Sequence, residues 1–264
     1  AAAAAEAAPV ALAASGEGLV YAVNLLSQDI SGYAADAVTG ALAPLPGSPF
    51  PAHRARLKGS RITNPLTGAV MPASSVQVAH WPTSLTVSPS GVVYVTGHAP
   101  RVSIPGALAL RAAPGATPRD TGAWTDSPAV SSVSAYLVDG STGALTPVAG
   151  SPWAAGRRPA AIALTPSGRL AFVANLESHD VSAFVVDPAT GGLTEVAGSP
   201  FATGARPRAV AVDPTGRFLY VAGSAADAVW GHVIDESTGA LRAMAPPIFT
   251  AGVEPMAMAV VGRR

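Results

Sequence analysis

The sequence predicts an all-β protein: a β-propeller of four-stranded antiparallel blades, about four complete blades plus one strand of a further one in 264 residues. Three observations predict it. One segment recurs over 9–50, 159–201 and 207–249, with an interrupted copy over 82–153. Its turns return at a fixed interval: Thr165-Pro166-Ser167-Gly168 reappears as Asp213-Pro214-Thr215-Gly216, and Ala189-Thr190-Gly191 as Ser237-Thr238-Gly239, each a shift of 48. Each copy also holds four short apolar runs separated by Gly, Pro and Asp. A fixed period in the range of about 20–50 residues marks solenoids and propellers, and four short strands per period describe a propeller blade. An antiparallel sandwich also has short, evenly spaced strands, but it does not require one turn sequence at a fixed interval.

The copy beginning at 159 shows how a blade is built. Ala160-Ala161-Ile162-Ala163-Leu164 is a short apolar run, as expected of a strand buried on both faces. Thr165 to Gly168 is a tight turn, in which Pro presets the backbone and Gly supplies a permissive dihedral. Leu170 to Asn175 is the second strand, Leu176 to His179 a polar connection, and Val181 to Val186 a third strand rich in β-branched and aromatic residues. Asp187-Pro188-Ala189-Thr190-Gly191-Gly192 turns again, Leu193 to Ala197 is a weaker fourth strand, and Gly198-Ser199-Pro200-Phe201 closes the unit.

Holding this register exposes two inserts, at about 52–79 and 99–128. Arg54, Arg56, Lys58 and Arg61 lie in the first and Arg101, Arg111 and Arg119 in the second. Loops of this length are functional lids or disordered segments, and the lack of sustained periodicity favours disorder. Pro255 to Val261 matches the first strand of a further blade. A propeller typically has four to eight blades and must hide its first and last edges. The first copy already has its own inner strand at Val10–Ala14, so the expectation is a fragment of a larger ring, with completion by a second chain as the alternative. Residues 1–8 form an Ala-rich tail outside the single propeller domain of 9–264. Read as the remnant of a processed export signal, the N-terminal stretch implies an extracytoplasmic site, periplasmic or secreted, with a cytoplasmic one as the alternative.

Composition excludes several functions. Hydrophobic residues make up 49% and charged residues only 12%, against about 25% charged in an average domain, so the chain folds rather than staying disordered. Sixteen basic residues balance 16 acidic ones, which gives no electrostatic case for nucleic acid or an anionic membrane. No Cys is present, removing disulfides, thiolate nucleophiles and Cys-ligated metals. The histidines show no local metal-binding spacing, so neither a metal nor a cofactor is expected. No uninterrupted apolar stretch reaches the roughly 18 residues of a membrane span. There is no phosphate-cradling glycine loop leading into a helix, and no GxSxG elbow.

The repeat resembles the lactonase-type seven-bladed β-propeller family, related to YVTN propeller repeats. The matching residues are Arg206-Pro207-Arg208-Ala209-Val210-Ala211-Val212, the turn Asp213-Pro214-Thr215-Gly216 and the strand Arg217-Phe218-Leu219-Tyr220-Val221-Ala222. Val181-Ser182-Ala183-Phe184, Ser237-Thr238-Gly239-Ala240-Leu241 and Gly198-Ser199-Pro200-Phe201 also match. The family includes enzymes similar to 6-phosphogluconolactonase and to a muconate cycloisomerase, and many propellers with no known reaction. The resemblance implies Arg, Glu and His at the channel mouth. His80-Trp81-Pro82 is the nearest this sequence comes to the His-rich lead those enzymes carry.

In a propeller the leads into the inner strands and the loops between second and third strands share one face. Residues distant in sequence therefore converge at the channel mouth. The leads supply His80 and Trp81, Arg157 and Arg158, Arg206 and Arg208, and Glu254; the loops supply Gln28, Asp29, Glu177, His179, Asp180 and Asp227. Arginine forks bind carboxylate or phosphate in a bidentate manner. Arg157, Arg158, Arg206, Arg208, His179 and Asp180 are thus candidate ligand-binding residues, and Glu254 and His80 candidate catalytic ones. A carboxylate here acts on a lactone as general base while Arg stabilises the developing oxyanion. Each also has a purely structural reading. The arginines serve as solvated loop residues, Asp29 and Asp180 accept hydrogen bonds from their own turns, Asn24 and Asn175 form turns, and His232, where another copy has Phe184, packs in the core. The main expectation is a binding scaffold presenting its channel face or inserts to a protein, glycan or small anionic ligand; the alternative is a sugar-lactone hydrolase using the Arg/Glu/His rim. Fold alone does not choose between them.

Overall fold

A computed structural model describes residues 9–16, 18–25, 27–52, 55–56, 61–63, 70–72, 77–78, 81–98, 131–225, 227–251 and 254–260. Its described residues are all β, with no helix among them, and therefore no helix long and apolar enough to cross a membrane. Four antiparallel sheets follow one another along the chain. The first holds β1 (Pro9–Ala14), β2 (Leu19–Asn24), β3 (Asp29–Ala35), β4 (Leu42–Pro44) and β5 (Phe50–Pro51). The short strands β6 (Ala55–Arg56), β7 (Arg61–Thr63), β8 (Val70–Pro72) and β9 (Gln77–Val78) come next. The second sheet holds β10 (Trp81–Val87), β11 (Val92–His98), β12 (Ser131–Val138), β13 (Leu145–Pro147) and β14 (Trp153–Ala154). The third holds β15 (Pro159–Leu164), β16 (Leu170–Asn175), β17 (Asp180–Val186), β18 (Leu193–Glu195) and β19 (Phe201–Ala202). The fourth holds β20 (Pro207–Val212), β21 (Phe218–Gly223), β22 (Ala228–Ile234) and β23 (Leu241–Thr250).

The core is what makes these sheets blades. Three separate apolar clusters lie between successive sheets. In β16, Ala171 and Val173 pack with Val92, Tyr94 and Val133 of the second blade, while Leu170, Phe172 and Ala174 pack with Leu219 and Val221 of the fourth. Side chains alternate across a strand with period two, so one strand serves two cores. That is why Leu170 to Ala174 are all apolar. A two-layer sandwich would have one core rather than one between each pair of neighbours. Burying each such Val, Leu or Phe contributes about 1.5–3 kcal/mol, and stability accrues blade by blade.

The outermost strand departs from the simple reading. In three blades it is split in two, the second piece being β5, β14 or β19, each paired with the start of the third strand. The break falls at Gly47-Ser48-Pro49, Gly150-Ser151-Pro152 and Gly198-Ser199-Pro200, with each Ser-Pro bond cis and each Gly at φ of 80–85°. The turn leaves one third-strand N–H without a ladder partner, and the serine hydroxyl accepts it. Gly32, Ala135 and Ala183 N–H donate to Ser48, Ser151 and Ser199 Oγ at 2.9, 3.0 and 3.0 Å. The fourth copy has no Gly-Ser-Pro, and its outer strand is the single ten-residue β23, whose register with β22 shifts between Trp230 and His232.

Blades also interlock through tyrosines. Tyr21 Oη donates to Gly143 O of the next blade at 2.8 Å, and Tyr94 Oη to Gly191 O at 2.9 Å. Within the first insert, expected to lack structure, β6 pairs β9 and β7 pairs β8 as two nested antiparallel ladders. β-Branched Ile62, Thr63 and Val70 favour such pairing. The second insert lies outside the described residues. Pro255 to Val261 is expected as an inner strand; its described residues, 255–260, run without a ladder.

Candidate functional site

The inner strands β1, β10, β15 and β20 surround an open cavity of about 620 Å³. Val10 and Ala11, Trp81 to Ser84, Pro159 to Ile162, Arg208 to Val210 and Met256 to Met258 line it. Arg158 lines both this channel and a second cavity of about 360 Å³ at its mouth, shared with Arg157, Leu176, Glu177, His179 and Arg206. Two residue positions, repeated around the ring, build this mouth.

The first is the residue before the inner-strand proline: Trp81, Arg158, Arg206 and Glu254. Arg158, Arg206 and Glu254 have φ of 55°, 55° and 47°. A residue before proline normally takes an extended conformation, and positive φ costs a non-glycine residue about 1–2 kcal/mol. The second position stands at the start of the third strand or directly before it, and offsets that cost. Its side chain accepts the N–H of the strained residue in the following blade: Ser131 Oγ from Arg158 N at 3.3 Å, His179 Nδ1 from Arg206 N at 3.0 Å, and Asp227 Oδ1 from Glu254 N at 2.8 Å. In each pair the two residues are 27 apart. Because His179 Nδ1 accepts, the neutral ring carries its proton on Nε2.

Glu177 ties the two arginines of the third blade. Its Oε2 lies 3.6 Å from Arg157 Nη2 and its Oε1 3.4 Å from Arg158 Nη1. The pairing follows from strand register. β15 and β16 pair Pro159 with Asn175, and the ladder continues through Leu176 N–H to Arg158 O and Glu177 N–H to Arg157 O. Both arginine side chains are about half exposed, and exposed ion pairs contribute only about 0–1 kcal/mol. A ligand anion can therefore displace the carboxylate from them. With Arg206 and Arg208 close to the same mouth, cations outnumber carboxylates in the lining of the two cavities.

The predicted residues divide as follows. Arg157, Arg158, Arg206 and His179 meet in the mouth cavity, and Arg208 lines the channel. Asp180 lines neither: its Oδ1 accepts from Asn175 Nδ2 at 2.7 Å and Ser178 Oγ at 3.0 Å. Asn24, Asp29 and Ser27 repeat the arrangement in the first blade at 2.7 and 2.9 Å. Glu254 is exposed and lines neither cavity. His80 lies outside the described residues. His232 is a buried core residue. The double pairing of Glu177 was not anticipated from sequence: counting the hairpin back from the turn sets residue 157 opposite 178, and the register shift between Pro159 and Ala161 moves its partner to 177. Among the described residues no cluster of three or more His, Cys, Asp or Glu could hold a metal.

Comparison with known proteins agrees with this architecture. The family model for lactonase, seven-bladed β-propeller, matches residues 67–201 and 153–257. A functionally unknown protein from Desulfotomaculum acetoxidans superposes with a TM-score of 0.51 at 15% identity, covering 96% of this chain and 74% of its own. A candidate 6-phosphogluconolactonase from Bacteroides fragilis gives 0.45 at 19% identity, covering 96% and 87%. The periplasmic gluconolactonase of Pseudomonas aeruginosa gives 0.42 at 17%, covering 92% and 86%. At these identities the likeness is one of fold. No curated protein matches the chain.

Proposed function

Since this chain belongs to the seven-bladed β-propeller lactonase family, we propose that it hydrolyses a sugar lactone at the channel mouth, with Arg157, Arg158 and Arg206 binding the acidic substituent of the substrate. The observation that carries this reading is the convergence of Arg157, Arg158, Glu177, His179 and Arg206 on one cavity that opens beside the channel. Guanidinium forks hold carboxylate or phosphate oxygens in fixed geometry. They also stabilise negative charge that develops on a carbonyl oxygen during attack. Once substrate draws Arg157 and Arg158 away, Glu177 is a carboxylate positioned to take a proton from water. The water oxygen bonds to the lactone carbonyl carbon, the ring C–O bond breaks, and the proton passes to the departing ring oxygen, giving a hydroxy acid. His179 acts differently. Its Nδ1 lone pair is committed to Arg206 N–H, so it offers an Nε2–H donor rather than a base.

The test is hydrolysis of gluconolactone and of its 6-phosphate against the spontaneous rate. Wild type should exceed that rate, Glu177→Gln should lose at least about a hundredfold in kcat, and Arg158→Ala should raise KM. Tight binding of the hydroxy acid with hydrolysis no faster than in buffer would replace this reading by that of a binding scaffold.

A further inference from the structure

At the mouth position where the other blades carry Arg158, Arg206 and Glu254, the second blade carries Trp81. Its side chain is 37% exposed and lines the channel cavity together with Arg158 and Arg208. The sheet tryptophan Trp230, by contrast, is buried. Leaving an indole open to water forgoes burial of a large apolar surface, and a ligand pocket is the kind of place where an aromatic wall stands among a few convergent polar groups. The ring is also held in place: Trp81 pairs with His98 across the β10–β11 ladder, and the two rings meet nearly perpendicular, 79° apart with centroids 6.1 Å apart.

We infer that Trp81 is the platform on which the ring of a cyclic sugar acid stacks while the mouth arginines take its acidic group, Arg158 foremost because it lines both cavities. The inference rests on the sugar-lactone reading of the same mouth and adds to it the side chain that holds the carbohydrate ring. The C–H bonds on one face of a sugar are weakly positive, and an indole face is negative, so they attract. The roughly 620 Å³ of the channel lies within the range of small-molecule sites. A bare phosphate would use the arginines and leave the indole untouched.

Calorimetric titration with glucose 6-phosphate, a pyranose ring carrying an acidic phosphate that serves as the cyclic sugar acid, and with inorganic phosphate as paired probes tests this. Wild type should bind the sugar acid at least about tenfold tighter than phosphate. Trp81→Ala should abolish that margin while phosphate affinity stays unchanged, and Trp81→Phe, which keeps an aromatic face, should retain most of it. Thermal denaturation of both variants confirms that they fold. Phosphate binding with no margin for the sugar acid, or a margin that survives Trp81→Ala, overturns the platform alone. Failure of both probes to bind overturns the anion reading of the mouth and the platform with it.

Discussion

His179 accepts the backbone N–H of Arg206 on Nδ1 at 3.0 Å, across the boundary between the third and fourth blades. Blade packing and site geometry meet in this bond. It holds Arg206 in a positive-φ conformation and so fixes where its guanidinium starts. His179→Ala removes the acceptor. The expected result is a loss of about 1 kcal/mol in stability and weaker phosphate binding, read by thermal denaturation and titration. His179→Asp supplies the acceptor that Asp227 provides one blade later. It should restore stability but not anion affinity, because it adds a negative charge to the mouth.

The tyrosine interlocks carry a second expectation. Tyr21 and Tyr94 are fully buried and donate to Gly143 O and Gly191 O, and burial pushes the pKa of each up to about 12. Tyr94→Phe strips the donor and leaves a buried carbonyl unpaired, at a cost of about 1–3 kcal/mol. The folded chain also holds these phenolic protons where the unfolded chain, with an ordinary value of 10.0, releases them. Stability should therefore be full below pH 10 and fall as pH rises toward 12. Denaturation midpoints across that range should drop less steeply in Tyr94→Phe than in wild type.

The repeat made the blades legible because a strand buried on both sides must be apolar throughout, and a turn must spend Gly, Pro or Asp at set positions. The same register identified Arg158, Arg206 and Glu254 as equivalent, since each precedes a proline. It also gave the structural reading of Asp180, whose bonds to Asn175 and Ser178 recur in the first blade. The pairing of His179 with Arg206 was not legible, because it depends on how two blades sit against each other rather than on any pattern within one. The split of the outer strand was missed for a related reason. Gly-Ser-Pro reads as a loop until the serine hydroxyl is seen completing the third strand's hydrogen bonding.

The turns between third and outer strands predict a response to acid. Asp36, Asp139, Asp187 and Asp235 each accept backbone N–H bonds from the residues two and three positions further on. These and hydroxyl bonds hold the carboxyls below their ordinary value, Asp139 at about 2, chiefly through Ser141 Oγ–H. A lowered carboxylate pKa contributes stability above the unfolded value of 3.8 that is lost as pH falls through the folded one. Tm should fall between pH 4 and about 2, and Asp139→Asn should blunt the fall.

His232 governs a separate window. It stands on β22, 5% exposed, with Nδ1 buried and lacking a hydrogen-bond partner. Desolvation holds its pKa below the ordinary 6.5, so the folded protein keeps the ring neutral while the unfolded chain takes up a proton. The unfolded state binds more protons as pH drops below 6.5, and folding stability drops with it until the folded value is reached. That fall sets in below pH 6.5, ahead of the 3.8 below which the turn aspartates begin to act, so a Tm profile from pH 8 to 2 should show an upper decline with its onset near 6.5 before the lower one begins. The third blade places Phe184 at the corresponding strand position, packed in an apolar cluster. His232→Phe removes an orphaned polar nitrogen together with the titrating group. The variant should match or exceed wild-type Tm at pH 8 and lose the upper decline while keeping the lower one. An upper decline of unchanged depth in His232→Phe would assign it to another group.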